Sequence, residues 1–255
     1  MIVLAAGRWA AGADPQLLEL AAPRCEAGAW SSPGGASPRI ELVRGAGARP
    51  AGAVPLDARE PEAGGYRFVE RTLEVWIPPS ARAADAALRL LFAAAFELQG
   101  GVLVHAAGIS LGGRALLAAG ASGAGKSTLA QCCAGAGLGL EVLSDETIGV
   151  LPDGTLWATP FRSSAHYSVE DPREPRALRA LAFLEHAPEE RLVALTAADA
   201  TARLLRQIYP GPAQGPGERL RRAAALAKRV PPAAFRLRRH PEVAAFVREL
   251  LGGGR

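Results

Sequence analysis

The sequence predicts an α/β protein over about residues 101–255, preceded by a smaller β-rich or α+β part over residues 1–100. Three observations predict it. An apolar strand pattern, "RALLAA", runs straight into a glycine-rich turn and then a helical pattern. From there to the end, runs of strand length alternate with patterns of helical spacing. Finally, 49% of the residues are hydrophobic but only 5% are aromatic, so a large core is available and must be built mostly of Ala, Leu and Val.

Residues 1 to about 65 are rich in Gly, Pro and Ala. Their opening "MIVLAAGRWAAGADP" reads as an apolar strand, without the cationic n-region of a signal peptide, and "IELVRG" reads as a second short strand. "GYRFVERTLEVWIPP" alternates apolar and polar positions about "ERT", which predicts a hairpin over 65–79. "ARAADAALRLLFAAAFELQGG" has helical spacing and a glycine stop, which predicts a helix over 82–99. Two strands joined by Gly112 and Gly113 come next, then the glycine loop and a helix from about Lys126 to Ala134. "GLEVLSDETIGVLPDGTLWATP" predicts a buried strand, a turn at Asp145 and a hairpin closed by Asp153-Gly154. The remainder reads as a strand ("ALAFLEHA"), a helix ("TAADATARLLRQIY"), another helix, a strand ("AAFRLRR") and a last helix ("PEVAAFVRELLGG").

Composition narrows the function. No window has the ~18 consecutive apolar residues of a membrane span. The three cysteines, Cys25, Cys132 and Cys133, are an odd count with no zinc spacing, as expected of a reduced cytoplasmic protein. Net charge is +4, gathered from Pro172 onward, where 16 basic residues face 8 acidic ones. Those arginines are scattered along helical patterns without interleaved aromatics, so a solvated helix face is expected rather than a nucleic-acid surface. His166, His186 and His240 carry no motif and read as surface residues.

Among 29 basic residues only Lys126 and Lys228 are lysines, and Lys126 lies in the glycine loop. Gly120, Ala121, Ser122, Gly123, Ala124, Gly125, Lys126 and Ser127, with Thr128 behind them, fit the phosphate-loop pattern G-x-x-x-x-G-K-[ST], also called Walker A, at every fixed position. The glycines let backbone N–H groups curl around phosphate oxygens, and the following helix points its positive end at the same anion. The Lys126 ammonium can reach the β- and γ-phosphates, and the Ser127 hydroxyl can ligate Mg²⁺. A hydrolase elbow is excluded, because Ser122 is followed directly by Gly123. The dinucleotide fingerprint does not call for the terminal Lys-Ser pair.

A nucleotide site also needs a carboxylate. "LEVLSDE" ends an apolar strand in Asp145-Glu146, nineteen residues after Lys126, the length of a crossover to a neighbouring strand. Asp145 is therefore expected beside the loop. His105 ends the apolar run "VLVH", and in an antiparallel hairpin it would lie level with the loop's mouth. Arg162 in "TPFRSS" is a further candidate for stabilising transition-state charge, and Cys132 and Cys133 are expected to pack on the helix after the loop.

Taken together, "VHAAGISLGGRALLAAGASGAGKSTLAQCCAGAGLGLEVLSDE" resembles the catalytic core of the HPr kinase/phosphorylase superfamily. It resembles more closely the HPr-kinase-related proteins found near peptide-modification gene clusters. The likeness is specific over Val102 to Glu146 and weaker through "WATPFRSS" and "LTAADATARLLRQIYP". It implies a phosphate loop embedded in a mixed, partly antiparallel sheet, as in phosphoenolpyruvate carboxykinases. The implied reaction moves the γ-phosphoryl of ATP, with Mg²⁺, onto a serine hydroxyl of a peptide, protein or small molecule. Asp145 matches the catalytic aspartate, His105 a supporting histidine, Lys126 the loop lysine, and Ser127, Asp145 and Glu146 the metal ligands. Glu146 stands where the family usually has a second aspartate. The glycine-rich signature of HPr docking and phosphorolysis is missing, so neither HPr nor the reverse reaction is carried over. Homo-oligomers occur in the family. The first 60 residues resemble no family, and residues 1–100 are expected to dock the acceptor. Two other readings stay open: an ATP-binding regulatory or recognition protein without phosphotransfer, and a carboxykinase-like enzyme.

Overall fold

Two mixed sheets and six helices are built by the residues described in the structure, a computed structural model that describes residues 2–6, 9–22, 40–45, 47–56, 64–163, 174–237 and 242–253. The first sheet has the order β1-β2-β3-β6-β5-β4. Its strands are β1 (Ile2–Ala6), β2 (Trp9–Ala13), β3 (Ile40–Arg44), β4 (Val54–Pro55), β5 (Gly65–Val69) and β6 (Thr72–Trp76), with β3 parallel to both β2 and β6. The opening segment, expected as one strand, is a β1/β2 hairpin followed by helix α1 (Pro15–Ala21). A start signal for α1 lies in "DP": Asp14 Oδ1 accepts from the Gln16 N–H at 2.8 Å, and Pro15 opens the helix. β5 and β6 form the expected hairpin, turning at Glu70 and Arg71 with Glu70 in the left-handed region.

Helix α2 (Ala81–Leu98) begins at Ser80, whose hydroxyl accepts from the Ala83 N–H at 3.2 Å. It is buried on nearly every side because it is sandwiched: one face packs on β2 and β3, the other on strands of the second sheet. Its alanines let both sheets approach closely. A single continuous core joins Leu42 and Leu73 of the first sheet, Leu88 and Phe92 of α2, and Leu117 and Leu143 of the second sheet.

The second sheet runs β10 (Glu141–Ser144), β8 (Ala106–Leu111), β9 (Arg114–Ala119), β13 (Arg176–His186), β12 (Thr155–Trp157), β11 (Ile148–Val150), β7 (Val102–Val104). β13 spans eleven residues. β9 covers one side of it, while the other side pairs with β12 near its start and with parallel β15 (Pro232–Leu237) at its end. β14 (Arg191–Ala194), which the sequence pattern did not reveal, adds to β15. β9 is buried on both faces by strict alternation: Ala115, Leu117 and Ala119 face the α2 core, while Leu116 and Ala118 face a second core. Helices α3 (Lys126–Gly135) and α6 (Val243–Gly252) supply that second core with Leu129, Cys133 and Val247.

α4 (Ala197–Leu205) and α5 (Pro216–Ala227) complete the chain order. The α5 arginines were expected on a solvated face, but Arg222 turns inward. It donates to the Glu97 and Gly101 carbonyls at 2.8 and 2.7 Å, where the C-terminal end of α2 favours a cation. Among the described residues no helix is long and apolar enough to cross a membrane.

One expectation about strand order is overturned. The strand carrying Asp145 is not a direct neighbour of β9, because β8 lies between them and pairs antiparallel with both. The Gly112–Gly113 turn, with both glycines in the left-handed region, folds β8 onto that edge of β9, so the connection through α3 passes over one strand.

Candidate functional site

β9 ends at Ala119, and Gly120 to Gly125 turn the chain into α3. Gly123 and Gly125 sit at φ +80° and +105°, conformations that side chains rarely adopt. A Cβ on Gly120 would stand 2.9 Å from that of Ala124, so the turn is also sterically closed to larger residues. α3 starts with no side-chain cap, which leaves the N–H groups at Lys126, Ser127 and Thr128 directed out of the first turn. Ala121 and Ser122 are exposed at the tip. The Lys126 side chain folds back over the loop, its Nζ donating to the Gly120 carbonyl at 2.7 Å and the Ala121 carbonyl at 3.1 Å. Only 6% of Lys126 is exposed, and burial lowers its pKa against the opposing pull of the Glu146 and Asp145 carboxylates.

β10 runs parallel to β9, since both are antiparallel to β8. The registers Ser144↔Gly108 and Gly108↔Leu117 bring their carboxyl ends to the same edge of the sheet. Asp145, 1% exposed, thus arrives beside the loop despite the intervening strand. Its Oδ1 accepts from the Ser163 N–H at 3.0 Å, and its Oδ2 accepts from the Ser163 hydroxyl. Ser163 Oγ in turn lies 2.6 Å from Ser127 Oγ. A chain of oxygens therefore links the head of α3 to the buried carboxylate.

Ser163 is held there by its own segment. Phe161 is fully buried edge-on to Phe92, with centroids 5.3 Å apart. The Ser144 hydroxyl donates to the Phe161 carbonyl at 2.7 Å, and the Thr147 and Thr159 hydroxyls meet at 2.7 Å. Arg162, next to Ser163, is buried with Nη1 directed at the Leu143 carbonyl at 3.4 Å.

His105 is the single residue between β7 and β8, and the Ala106↔Ala119 pairing sets it level with Gly120. Its Nδ1 lies 2.8 Å from the Glu146 carbonyl, which can only accept, so Nδ1 carries the proton. Desolvation and the Lys126 charge hold its pKa below the usual value, so the ring is neutral near pH 7. The Glu146 carboxylate does not join the chain of oxygens; it faces Arg89 Nη1 at 3.3 Å and His105 Nδ1 at 3.8 Å. Arg89 also pairs with Asp85 at 2.9 Å, reaches the Tyr209 hydroxyl at 3.3 Å and lies over the Phe161 ring at 4.6 Å. Asp85, Arg89, Glu146 and Tyr209 border a cavity of about 400 Å³ with Leu56 and Arg82 on its wall.

Several of these residues escaped the sequence reading. His186 is exposed, as expected, but it ends β13 and its Nε2 lies 3.0 Å from the Gly123 carbonyl, a contact with the loop that no motif signalled. The signal was indirect: a parallel neighbour of β9 delivers its carboxyl end to the same loop. Ser163, Arg89 and Tyr209 carry no motif. Cys133 packs in the core as expected, where burial pushes its thiol up to about 12, and Cys132 is half-buried on the same helix. His166, His240 and Cys25 lie outside the described residues.

Among the described residues no three His, Cys, Asp or Glu side chains form a metal cluster. Ser127, Ser163 and Asp145 instead offer hydroxyl and carboxylate oxygens, the donors a hard divalent cation takes. No protein-family model matches the chain, and no curated protein matches it significantly.

Proposed function

We propose that the chain is an ATP-dependent serine kinase with an HPr-kinase-like phosphate-loop fold. The observation that carries this reading is the oxygen chain from Ser127, at the head of α3, to buried Asp145. The glycine loop supplies backbone N–H groups and a helix N-terminus for the phosphates. The Lys126 ammonium, lifted from its two carbonyls, neutralises charge at the terminal phosphate. Asp145 hydrogen-bonds the acceptor alcohol and takes its proton, and neutral His105 braces the turn through the Glu146 carbonyl. Ser127 and Asp145 would hold Mg²⁺, which when bound neutralises phosphate oxygens. Glu146 would join them only by leaving Arg89. The cavity between α2, Glu146 and Tyr209 is where residues 1–100 would help present a peptide, protein or small-molecule acceptor.

Incubation with γ-labelled ATP and seryl peptides tests this. The parent chain should label a serine. Asp145→Asn should bind nucleotide nearly as well yet transfer phosphate roughly 10²–10⁴-fold more slowly. Labelling by that variant at the parent rate would remove Asp145 from the chemistry. Slow release of free phosphate with no labelled acceptor would favour a nucleotide-driven switch.

A further inference from the structure

Within the proposed chemistry Ser163 stands where an acceptor would. An acceptor alcohol needs its oxygen on the base and its other side towards the phosphate loop. Ser163 meets both conditions: its hydroxyl donates to Asp145 Oδ2, and its Oγ lies 2.6 Å from Ser127 Oγ. Its N–H occupies Asp145 Oδ1 at 3.0 Å, so one residue engages both carboxylate oxygens. The position is built rather than accidental. Phe161 anchors the segment in the core, and the Ser144, Thr147 and Thr159 hydroxyls stitch it to the end of β10. Nothing in phosphate binding itself requires a serine at 163, because Ser127 already supplies the hydroxyl of the loop motif.

We infer that Ser163 is an internal phosphoryl acceptor, phosphorylated in cis by this same site. The inference rests on the kinase reading and goes beyond it. A bond forms between Ser163 Oγ and the γ-phosphorus of ATP as the bond from that phosphorus to the β,γ-bridging oxygen breaks. The hydroxyl proton passes to Asp145, and ADP leaves with the bridging electron pair. Once Asp145 releases that proton to solvent, the phosphoserine's about −1.5 to −2 charges stand beside a carboxylate, and like-charge repulsion moves it off the base.

The test uses the full chain with magnesium and γ-labelled ATP and no added peptide, mapped by mass spectrometry, with nucleotide binding measured in parallel. The expected result is label on Ser163, with a fraction per minute that does not change on dilution and that falls roughly 10²–10⁴-fold in Asp145→Asn. Ser163→Thr, which keeps a hydroxyl, should retain label at that position; Ser163→Ala should not. Nucleotide binding without label at Ser163, or label that falls in proportion to dilution, overturns the inference. If an added seryl peptide is labelled while Ser163 stays unmodified, the inference fails and the kinase reading stands. If the chain binds no nucleotide, both fall together.

Discussion

His105 and Lys126 share one electrostatic neighbourhood, and it has a measurable consequence. The folded pKa of His105 is depressed by burial first and by the Lys126 charge second, below the 6.5 of an unperturbed ring. Between those two values the unfolded chain holds a proton that the folded chain does not, so stability rises with pH across that window. The contribution is lost as pH falls below about 6.5. Urea midpoints measured from about pH 7.5 to about pH 5 should therefore fall, and His105→Gln should flatten that part of the curve. An unchanged slope in the variant would assign the titration elsewhere. The same scale shows what a motif can and cannot reveal. Lys126 and the glycines were legible because the loop pattern fixes those residue types at those positions and only glycine readily makes that turn. Ser163 and His186 were not, because a serine or histidine takes on a role only from what lies across from it.

At the scale of elements, strand alternation, helical spacing and glycine stops carried most of the prediction. β9, the glycine loop and α3 follow from an apolar run, two left-handed glycines and a helical pattern. The hairpin of β11 and β12 closes at Gly154, φ +83°, where a side chain would be strained. β14 was missed because "RLVA" is four residues long and is stabilised only by pairing with β15. Gly149 ties element to element. It lies on β11 directly beneath Phe96 of α2, and an added Cβ would fall inside the ring's van der Waals envelope. Gly149→Ala should therefore push α2 away from β11 and destabilise the fold by about 1–3 kcal/mol. Chemical denaturation checks this; a variant as stable as the parent would mean that Phe96 repacks without cost. Burial of Phe96 is complete, which leaves it little room to move.

Across the whole molecule, α2 makes the N-terminal sheet and the loop-bearing sheet parts of one core. Removing residues 1–60 would delete β1, β2, α1, β3 and β4 and uncover the face of α2 that packs on β2 and β3. Nucleotide affinity and acceptor use should then fall together with the melting temperature, by roughly 5 °C or more, since several buried apolar side chains lose their partners. Thermal melts paired with nucleotide titration would show it. A truncated chain melting with the parent would mean that the core divides near residue 60. For the same reason, a docking role for the N-terminal part is better probed by substitutions lining the cavity beside Glu146 than by deletion.

By itself the amino-acid sequence determined the local chemistry: the turn only glycines can make, the lone ammonium within it, the acidic pair at a strand end and the alternation that buries β9 on both faces. Those features depend on residues close together in the chain, where backbone conformation and side-chain type suffice. Tertiary structure alone decided that β8 would stand between the loop and Asp145, that Glu146 would turn to Arg89, and that Ser163 would bridge Ser127 to the carboxylate. Each of those outcomes depends on which sheet edges are already occupied and which cavities the helices leave, quantities that no short stretch of sequence contains.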